Sequence, residues 1–358
     1  MKLAIVGSRG IPASYGGFET FAEEISQRLQ AGGMDVTVVC QHSDIKPDKF
    51  DNVILIYSGY SKALNPLKFY LDSLRKKPAM TDFLLVCGVG GAVLYPLIKR
   101  KGYKLITHVD GREELRGKYS LLKKMYVRIA QSFAAKYSDH VIADSFALRK
   151  YWMEKFNLRP DKVSAIEFGA NFIEATDERV LTELNLTSGN YFLVVCRMVP
   201  ENNIEVILKG FVKSGSKLKL VLVGDLSDNF GKSLKSYSSE KIIFLNAIYR
   251  KAALFTLRKN CFAYIHGHSV GGTNPSLLEA MAAGNICICH DNEFNRETTE
   301  NIAFYFRNEE ELADRIKQVT VLSENERSMY AEVARKRISD YYNWERITDE
   351  YIELFNRL

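Results

Sequence analysis

Short apolar runs alternate with helical patterns along the chain, and this alternation constrains the fold more than any other feature. The first half has strand-like runs near residues 2–7, 35–40, 53–57, 83–87, 103–107, 139–143 and 162–166. The pattern starts again at Tyr191 and gives runs near 191–196, 218–223, 241–245, 261–266 and 286–289. Strands that alternate with helices form parallel sheets covered on both faces. The sequence therefore predicts an α/β fold of two doubly wound domains that face a central cleft, where ligands bind.

A polar segment between the two halves predicts the domain boundaries. Residues 174–190 end in Thr-Ser-Gly-Asn, which is typical of a hinge. We therefore expect a first domain over residues 1–173 and a second over residues 191–340. The final segment, 341–358, is expected to form a helix that packs back toward the first domain through an apolar stripe: Trp344, Ile347, Tyr351 and Leu354.

Charge and composition exclude several classes of protein. The apolar run at residues 1–7 is too short for a signal peptide and leads directly into a glycine turn, and no apolar run approaches the length of a membrane span. Six cysteines in mostly apolar runs are typical of a reducing cytoplasm. Residues 1–173 carry 26 Lys/Arg and 17 Asp/Glu (net +9), and the remainder carries 23 and 26 (net −3). This excess indicates either solvated helix faces or attraction to an anionic membrane surface or acceptor. Nucleic acid is not an expected partner, because the basic segments lack interleaved aromatic residues.

The segment that runs from His268 to Gly284 predicts an anion site. A buried strand, 261–265, leads into paired glycines, after which Thr273 or Asn274 can cap a helix that begins at Pro275. This arrangement places free N–H groups and the positive end of a helix dipole at the carboxyl end of a strand, where phosphate binds. Glu279, one turn further along, is suited to a ribose. The alternative is an ordinary helix N-terminus with a dipole-matched glutamate.

The loop after the first strand, residues 7–19, excludes a dinucleotide fingerprint. It lacks the G-x-G-x-x-G spacing, and the second strand ends without the acidic residue that would hold a ribose. A nicotinamide oxidoreductase is therefore not expected. Gly16 and Gly17 instead stand at the start of the next helix, where the backbone can approach a diphosphate.

Several of these segments together resemble bacterial rhamnosyltransferases of the family-4 retaining glycosyltransferases. The resemblance rests on residues 5–20 (IVGSRGIPASYGGFET), 109–113 (VDGRE), 141–145 (VIADS), 197–203 (RMVPENN) and 271–281 (GGTNPSLLEAM). It implies the GT-B fold of two Rossmann-like domains, the first for an acceptor and the second for a nucleotide-sugar. It also implies transfer of L-rhamnose from dTDP-L-rhamnose to a lipid-diphosphate-linked saccharide of a surface polysaccharide, such as an O-antigen or a capsule. The enzyme is then cytoplasmic or peripheral on the inner face of the membrane. No cofactor is implied, and no metal, since no Asp-x-Asp pair ends a strand.

The resemblance also assigns roles to individual residues. Arg197 matches a diphosphate-binding arginine and Glu279 a ribose-binding glutamate, while His108 and Asp110 lie near the reacting sugar. The other implied donor contacts are Gly16, Gly17, Asn202, Ile248, Thr273, Asn274, Ser276 and Leu277. The implied acceptor contacts are Arg9, Tyr15, Glu19 and Arg112. For Arg197 the alternative is a surface ion pair, and for His108 it is a structural role.

The chain departs from the broader family at two positions. The family places a glutamate where this chain has Gly271 and a lysine where it has Asn202. His268 and Arg9 are the candidates to contact the sugar hydroxyls or to supply the missing positive charge. A UDP- or GDP-linked donor, or a protein that binds a nucleotide-sugar without catalysis, remains the alternative.

Overall fold

The computed structural model describes residues 1–13, 16–98, 102–172, 176–248 and 250–358. The chain forms two compact units. The first unit comprises Met1–Leu115, Tyr119–Phe168 and Trp344–Leu358, and the second comprises Arg116–Lys118 and Gly169–Asn343.

The first unit is built around a sheet of eight strands in the described residues, in the order β3-β4-β2-β1-β5-β6-β7-β8. All neighbouring strands pair in parallel except β3 and β4. The strands are β1 (Lys2–Val6), β2 (Asp35–Cys40), β3 (Lys49–Phe50), β4 (Val53–Tyr57), β5 (Phe83–Cys87), β6 (Lys104–Val109), β7 (His140–Ala143) and β8 (Val163–Ala165). The helices are α1 (Gly17–Ala31), α2 (Pro66–Lys76), α3 (Leu121–Tyr137), α4 (Phe146–Phe156) and, after the second unit, α13 (Trp344–Arg357). Short 3-10 helices span Ala92–Leu97, Glu113–Leu115 and Pro160–Lys162.

The second unit holds a sheet of six parallel strands in the described residues, in the order β11-β10-β9-β12-β13-β14. The strands are β9 (Tyr191–Val195), β10 (Lys219–Val223), β11 (Ile242–Leu245), β12 (Ala263–His266), β13 (Cys287–His290) and β14 (Phe304–Phe306). The helices are α5 (Arg179–Glu183), α6 (Ile204–Ser214), α7 (Asn229–Leu234), α8 (Lys251–Asn260), α9 (Pro275–Ala282), α10 (Glu293–Thr299), α11 (Glu309–Thr320) and α12 (Glu324–Tyr341). Short 3-10 helices span Pro200–Asn202 and Lys235–Tyr237.

The predicted fold class is confirmed: each unit is a doubly wound, almost wholly parallel α/β sheet. Central strands such as β5, with the sequence FLLVC, are buried at every position, because helices cover both faces of a parallel sheet. Every strand expected from the sequence forms. Strands β3 and β14 are additional, and each is only two or three residues long, so neither shows a periodic pattern.

The structure divides the chain differently from the expected hinge. Residues 176–190 belong to the second unit and contain α5. The segment is bonded to α8 of that unit near both of its ends: the Asp177 amide donates to Thr256 Oγ1 and the Gly189 amide donates to the Asn260 carbonyl, both at 2.8 Å. The remaining hinge positions, 173–175, lie outside the described residues.

The C-terminal helical region is divided between the units. Helix α12 belongs to the second unit and starts at a capping box formed by Ser323 and Glu326. Helix α13 belongs to the first unit, and the expected apolar stripe is buried: Trp344, Ile347, Tyr351 and Leu354. None of the helices in the described ranges has a stretch both long and apolar enough to span a lipid bilayer.

Strand order also locates the natural binding crevice of each sheet. The direction of winding reverses between β1 and β5 in the first sheet and between β9 and β12 in the second. Ligands of open parallel sheets bind outside the carboxyl ends of the strands at such a reversal. The loops that follow β9 and β12, residues 196–203 and 267–274, are therefore the expected site of the second unit.

Candidate functional site

The strand, turn and helix predicted around Pro275 are present in the second unit. Strand β12 ends at His266, and helix α9 begins at Pro275. Asn274 is the N-cap, because its side chain accepts a hydrogen bond from the Ser276 amide at 3.0 Å. The prediction that Thr273 or Asn274 caps this helix is thus resolved in favour of Asn274, and Thr273 lies buried just before it.

The backbone donors at this helix start are fewer than the sequence suggested. The Ser276 amide is taken up by the cap, and the Leu277 amide donates to the Asn274 carbonyl at 3.0 Å. The Ser276 hydroxyl donates to the Val195 carbonyl at 2.8 Å. An anion at this position therefore shares amides that already have acceptors, and it gains chiefly from the orientation of the helix dipole.

Glu279 is held by an arginine that the sequence analysis did not identify. The Arg258 Nη2 atom lies 2.6 Å from the Glu279 carboxylate and also donates to the Ser276 hydroxyl at 3.2 Å. The Arg258 side chain is 3% exposed, whereas that of Glu279 is 34% exposed. Arg258 lies on α8, and no local motif links it to α9, so only the tertiary structure reveals the pair. One buried cation therefore orients both the predicted ribose ligand and the first turn of α9.

Arg197, Asn202 and His268 are brought together at the reversal between β9 and β12. Arg197 is exposed two residues after β9. Its backbone carbonyl accepts a hydrogen bond from Asn202 Nδ2 at 2.6 Å, and Asn202 Oδ1 lies 2.7 Å from His268 Nδ1. Asn202, which stands where the broader family has a lysine, thus joins the two loops of the crevice. Ile248 does not share this contact: it is half-buried after β11, which β10 and β9 separate from β12.

In the first unit, His108 is enclosed by aromatic rings. It lies near the carboxyl end of β6. The centroid of its ring is 4.7 to 5.4 Å from those of its three closest aromatic neighbours: Phe18, Phe21 and Phe168. Its Nδ1 lies 3.4 Å from the Tyr351 hydroxyl of α13. Burial lowers the pKa of His108 to about 3, so the ring is neutral at physiological pH. Asp110, the partner implied by the resemblance, is half-buried just beyond the strand.

The predicted acceptor residues of the glycine-rich loop are partly structural. Glu19 is buried, and its Oε1 accepts a hydrogen bond from the Arg9 amide at 2.7 Å. Glu23, one turn along α1, accepts from the Ala13 amide at 2.5 Å. These two carboxylates attach the loop to α1, which begins at Gly17 after the N-cap Gly16 with φ of 95°. Tyr15 lies outside the described residues.

Arg112 contacts an aromatic ring of α4. Its guanidinium lies over the Tyr151 ring at 4.6 Å, and Tyr151 in turn bonds to Glu114. Gln131 and Lys155 donate to the same carboxylate, at 2.7 and 2.9 Å. The Arg112 side chain therefore borders a buried polar network between the 3-10 helix at Glu113–Leu115, α3 and α4.

Two family models match consecutive parts of the chain. The model described as "Glycosyltransferase Family 4" matches residues 15–171, and that described as "Glycosyl transferases group 1" matches residues 181–337. The chain belongs to the GT-B glycosyltransferases. A relative of this enzyme, an uncharacterized glycosyltransferase of Methanocaldococcus jannaschii, is 24% identical over 274 residues, which is 73% of this chain and 69% of the relative.

Solved structures show the same fold for this glycosyltransferase. Sucrose-phosphate synthase from Thermosynechococcus elongatus has a TM-score of 0.82 at 15% identity, and covers 99% of this chain and 98% of its own. HepE from Anabaena, solved in complex with UDP-glucose, has a TM-score of 0.79 at 16% identity and full coverage of both chains.

Proposed function

We propose that this glycosyltransferase moves L-rhamnose from dTDP-L-rhamnose to a lipid-diphosphate-linked saccharide, with retention of configuration and without a metal ion. The observation that carries the donor site is the crevice at the ends of β9 and β12. There the exposed Arg197, the capped start of α9 and the Arg258-anchored Glu279 belong to one connected set of loops. These are the groups that a nucleoside diphosphate needs: a cation for the diphosphate and a carboxylate for the sugar of the nucleoside.

The proposed reaction requires stabilisation of the departing diphosphate. The bond between the sugar C1 and the diphosphate oxygen breaks, and C1 bonds to the acceptor hydroxyl on the same face. The hydroxyl proton passes to the departing diphosphate. Arg197 offers a planar cation that can bind two phosphate oxygens, and the dipole of α9 adds a fixed positive end. Such preorganised groups act on the charge that develops during the reaction, and we propose that they replace a metal ion.

The donor sugar and nucleotide follow from the sequence resemblance to rhamnosyltransferases. One observation favours a second candidate: HepE, which has a TM-score of 0.79 with this chain, was solved with UDP-glucose. A UDP-linked donor is therefore the alternative that the experiment must include.

An exposed apolar face on α3 supports the proposed membrane association. Four side chains share this face, at positions i, i+1, i+4 and i+8 of the helix: Leu121, Leu122, Met125 and Ile129. Leu121 is 86% exposed and Leu122 is 75% exposed. The same helix presents three basic side chains: Lys123, Lys124 and Arg128. A helix with an apolar face bordered by Lys and Arg lies in the interface of anionic lipids. We propose that α3 docks the first unit on the membrane that carries the acceptor.

Release of nucleoside diphosphate from a panel of nucleotide-sugars tests the donor site. The panel contains dTDP-L-rhamnose, UDP-glucose and GDP-mannose, each with a lipid-diphosphate-linked acceptor extract and without it. We expect acceptor-dependent release from dTDP-L-rhamnose. Arg197→Ala should lower this turnover about 100-fold, because one contact to developing charge is lost. The matched control Arg179→Ala removes another exposed arginine, from α5, and should leave turnover unchanged.

Two outcomes contradict the proposal. A folded Arg197→Ala enzyme with normal turnover would exclude a role for Arg197 in stabilising the departing diphosphate. Tight binding of a nucleotide-sugar with no turnover under any acceptor condition would indicate the non-catalytic alternative.

A further inference from the structure

The His268 ring is held rigidly beside the turn that leads into α9. The residue is 9% exposed, and its backbone carbonyl accepts hydrogen bonds from Asn292 Nδ2 and Asn295 Nδ2, both at 3.0 Å. On the preceding residue, the Gly267 carbonyl accepts from Asn203 Nδ2 at 2.8 Å. On the following one, the Ser269 amide donates to the Glu201 carbonyl at 3.0 Å. Three consecutive residues are thus fixed, so the imidazole is preorganised.

Asn202 determines which nitrogen of His268 carries the proton. Its Nδ2 donates to the Arg197 carbonyl at 2.6 Å, and a carbonyl can only accept, so the Oδ1 of Asn202 must face His268. That Oδ1 lies 2.7 Å from His268 Nδ1, which therefore bears the hydrogen. Burial first, and then the nearby His266, Arg116 and Arg197, lower the pKa of His268 well below its usual range. The ring is neutral, and Nε2 presents a lone pair.

Gly271 makes the space that Nε2 occupies. A Cβ added at position 271 would lie 2.2 Å from Nε2 and 2.8 Å from Cδ2 of His268. Any side chain there would force the imidazole away from Asn202. The two positions at which the sequence departs from the broader family are therefore coupled: Asn202 orients His268, and Gly271 admits it. Among the described residues, no donor reaches Nε2.

The chemistry of a neutral Nε2 selects its ligand. Phosphate oxygens are anionic acceptors, so they gain no hydrogen bond from a lone pair and are repelled by it. A hydroxyl group can donate to it. We propose that His268 Nε2 accepts a hydrogen bond from a hydroxyl of the transferred sugar, and that Asn202 and Gly271 serve to position this acceptor. The inference rests on the proposed function, which it deepens by naming a group that recognises the sugar rather than the nucleotide.

The test compares affinity for a nucleoside diphosphate with affinity for the matching nucleotide-sugar. Isothermal titration calorimetry is performed with dTDP and dTDP-L-rhamnose, and with UDP and UDP-glucose, and the pair that the wild type binds is used. His268→Asn keeps an amide donor near the Nδ1 position and removes Nε2. It should weaken nucleotide-sugar binding about tenfold, as expected for one hydrogen bond, and change nucleoside diphosphate binding less than twofold. His268→Gln, whose amide oxygen can reach the Nε2 position, should recover part of the loss.

A second variant tests the steric half of the inference. Gly271→Ala should cause the same selective loss, because its Cβ displaces the ring. Gly59→Ala is the matched control, since a Cβ there meets nothing closer than 3.9 Å, and it should bind both ligands normally.

The outcomes separate this inference from the proposed function. If the wild type binds no nucleoside diphosphate and no nucleotide-sugar, the proposed function is wrong. If it binds both, and the folded His268 and Gly271 variants lose neither ligand or lose both equally, the assignment of His268 to the sugar is wrong. Selective loss of the nucleotide-sugar, with partial recovery in His268→Gln, supports it.

Discussion

Replacing Arg258 by methionine removes the cation that holds Glu279 while preserving most of the buried volume. Breaking a fully buried ion pair costs about 3–5 kcal/mol. Here the freed partner can be rehydrated, because the Glu279 side chain is 34% exposed. The loss of the contact to the Ser276 hydroxyl adds about 1 kcal/mol. We therefore expect the second unit to lose about 2–3 kcal/mol of unfolding free energy.

The functional effect of the same change should fall on the donor. Without Arg258 the Glu279 carboxylate samples several rotamers, so its contact with the nucleoside sugar is lost for part of the time. We expect the KM for the donor to rise about tenfold, with a smaller change in kcat, because this contact is similar in the ground and transition states.

A double-mutant cycle measures the interaction directly. Urea unfolding of wild type, Arg258→Met, Glu279→Gln and the double variant gives the coupling energy, which we expect to be about 1–3 kcal/mol. Arg179→Met is the control: it removes an exposed partner of Asp177, which keeps its ion pair with Arg250, and it should cost less than about 1 kcal/mol. A coupling energy near zero, or an unchanged KM in the folded Arg258→Met enzyme, would refute the view that Arg258 orients Glu279.

Kinetics, metal chelation and liposome binding test the roles of Glu279, Arg197 and α3. Glu279→Gln should raise the KM for the donor more than it lowers kcat; steady-state kinetics check this, and a pure loss of kcat would assign Glu279 to the chemical step instead. Treatment with EDTA should leave the initial rate unchanged, and a rate restored only by Mn²⁺ or Mg²⁺ would contradict the proposed role of Arg197 and α9. The fraction of protein that sediments with acidic liposomes should decrease as salt rises. It should fall further in Lys123→Glu/Lys124→Glu, because each basic residue near the surface contributes about 1 kcal/mol, and in Leu121→Ser/Leu122→Ser, because each leucine buries apolar area in the lipid. Binding that survives both pairs of changes would exclude α3 as the docking surface.

The fold and the start of α9 were predictable because their signals are local. Short apolar runs, helix caps and a proline at the first helical position are signals that act over a few residues, so β12, Asn274 and Pro275 can be predicted directly from the sequence. The Arg258–Glu279 pair joins two helices with no shared motif, and tertiary packing alone creates it. Polar composition also misplaced the hinge. The Asp177 and Gly189 amides donate to α8 inside the second unit, and composition does not distinguish such a segment from a linker.

The meaning of Gly271 depends on a contact that the sequence does not show. The resemblance shows only that the broader family has a glutamate at this position, and nothing in the local sequence pattern explains the glycine. In the structure, the absence of a side chain at Gly271 leaves room for the imidazole of His268, whose Nδ1 proton is fixed by Asn202. His108 is the opposite case. Its place near the end of β6 was predictable, but the rings that enclose it come from two segments distant in sequence: Phe18 and Phe21 on α1, and Phe168.

Hydrogen–deuterium exchange with and without nucleotide-sugar tests directly whether the donor binds at the reversal between β9 and β12. The experiment uses dTDP-L-rhamnose and UDP-glucose, with binding verified in parallel by calorimetry. We expect slower exchange in peptides that cover residues 196–203 and 267–279, which contain Arg197, His268 and Glu279. Binding detected by calorimetry with unchanged exchange in both segments, or with protection confined to the first unit, would contradict it.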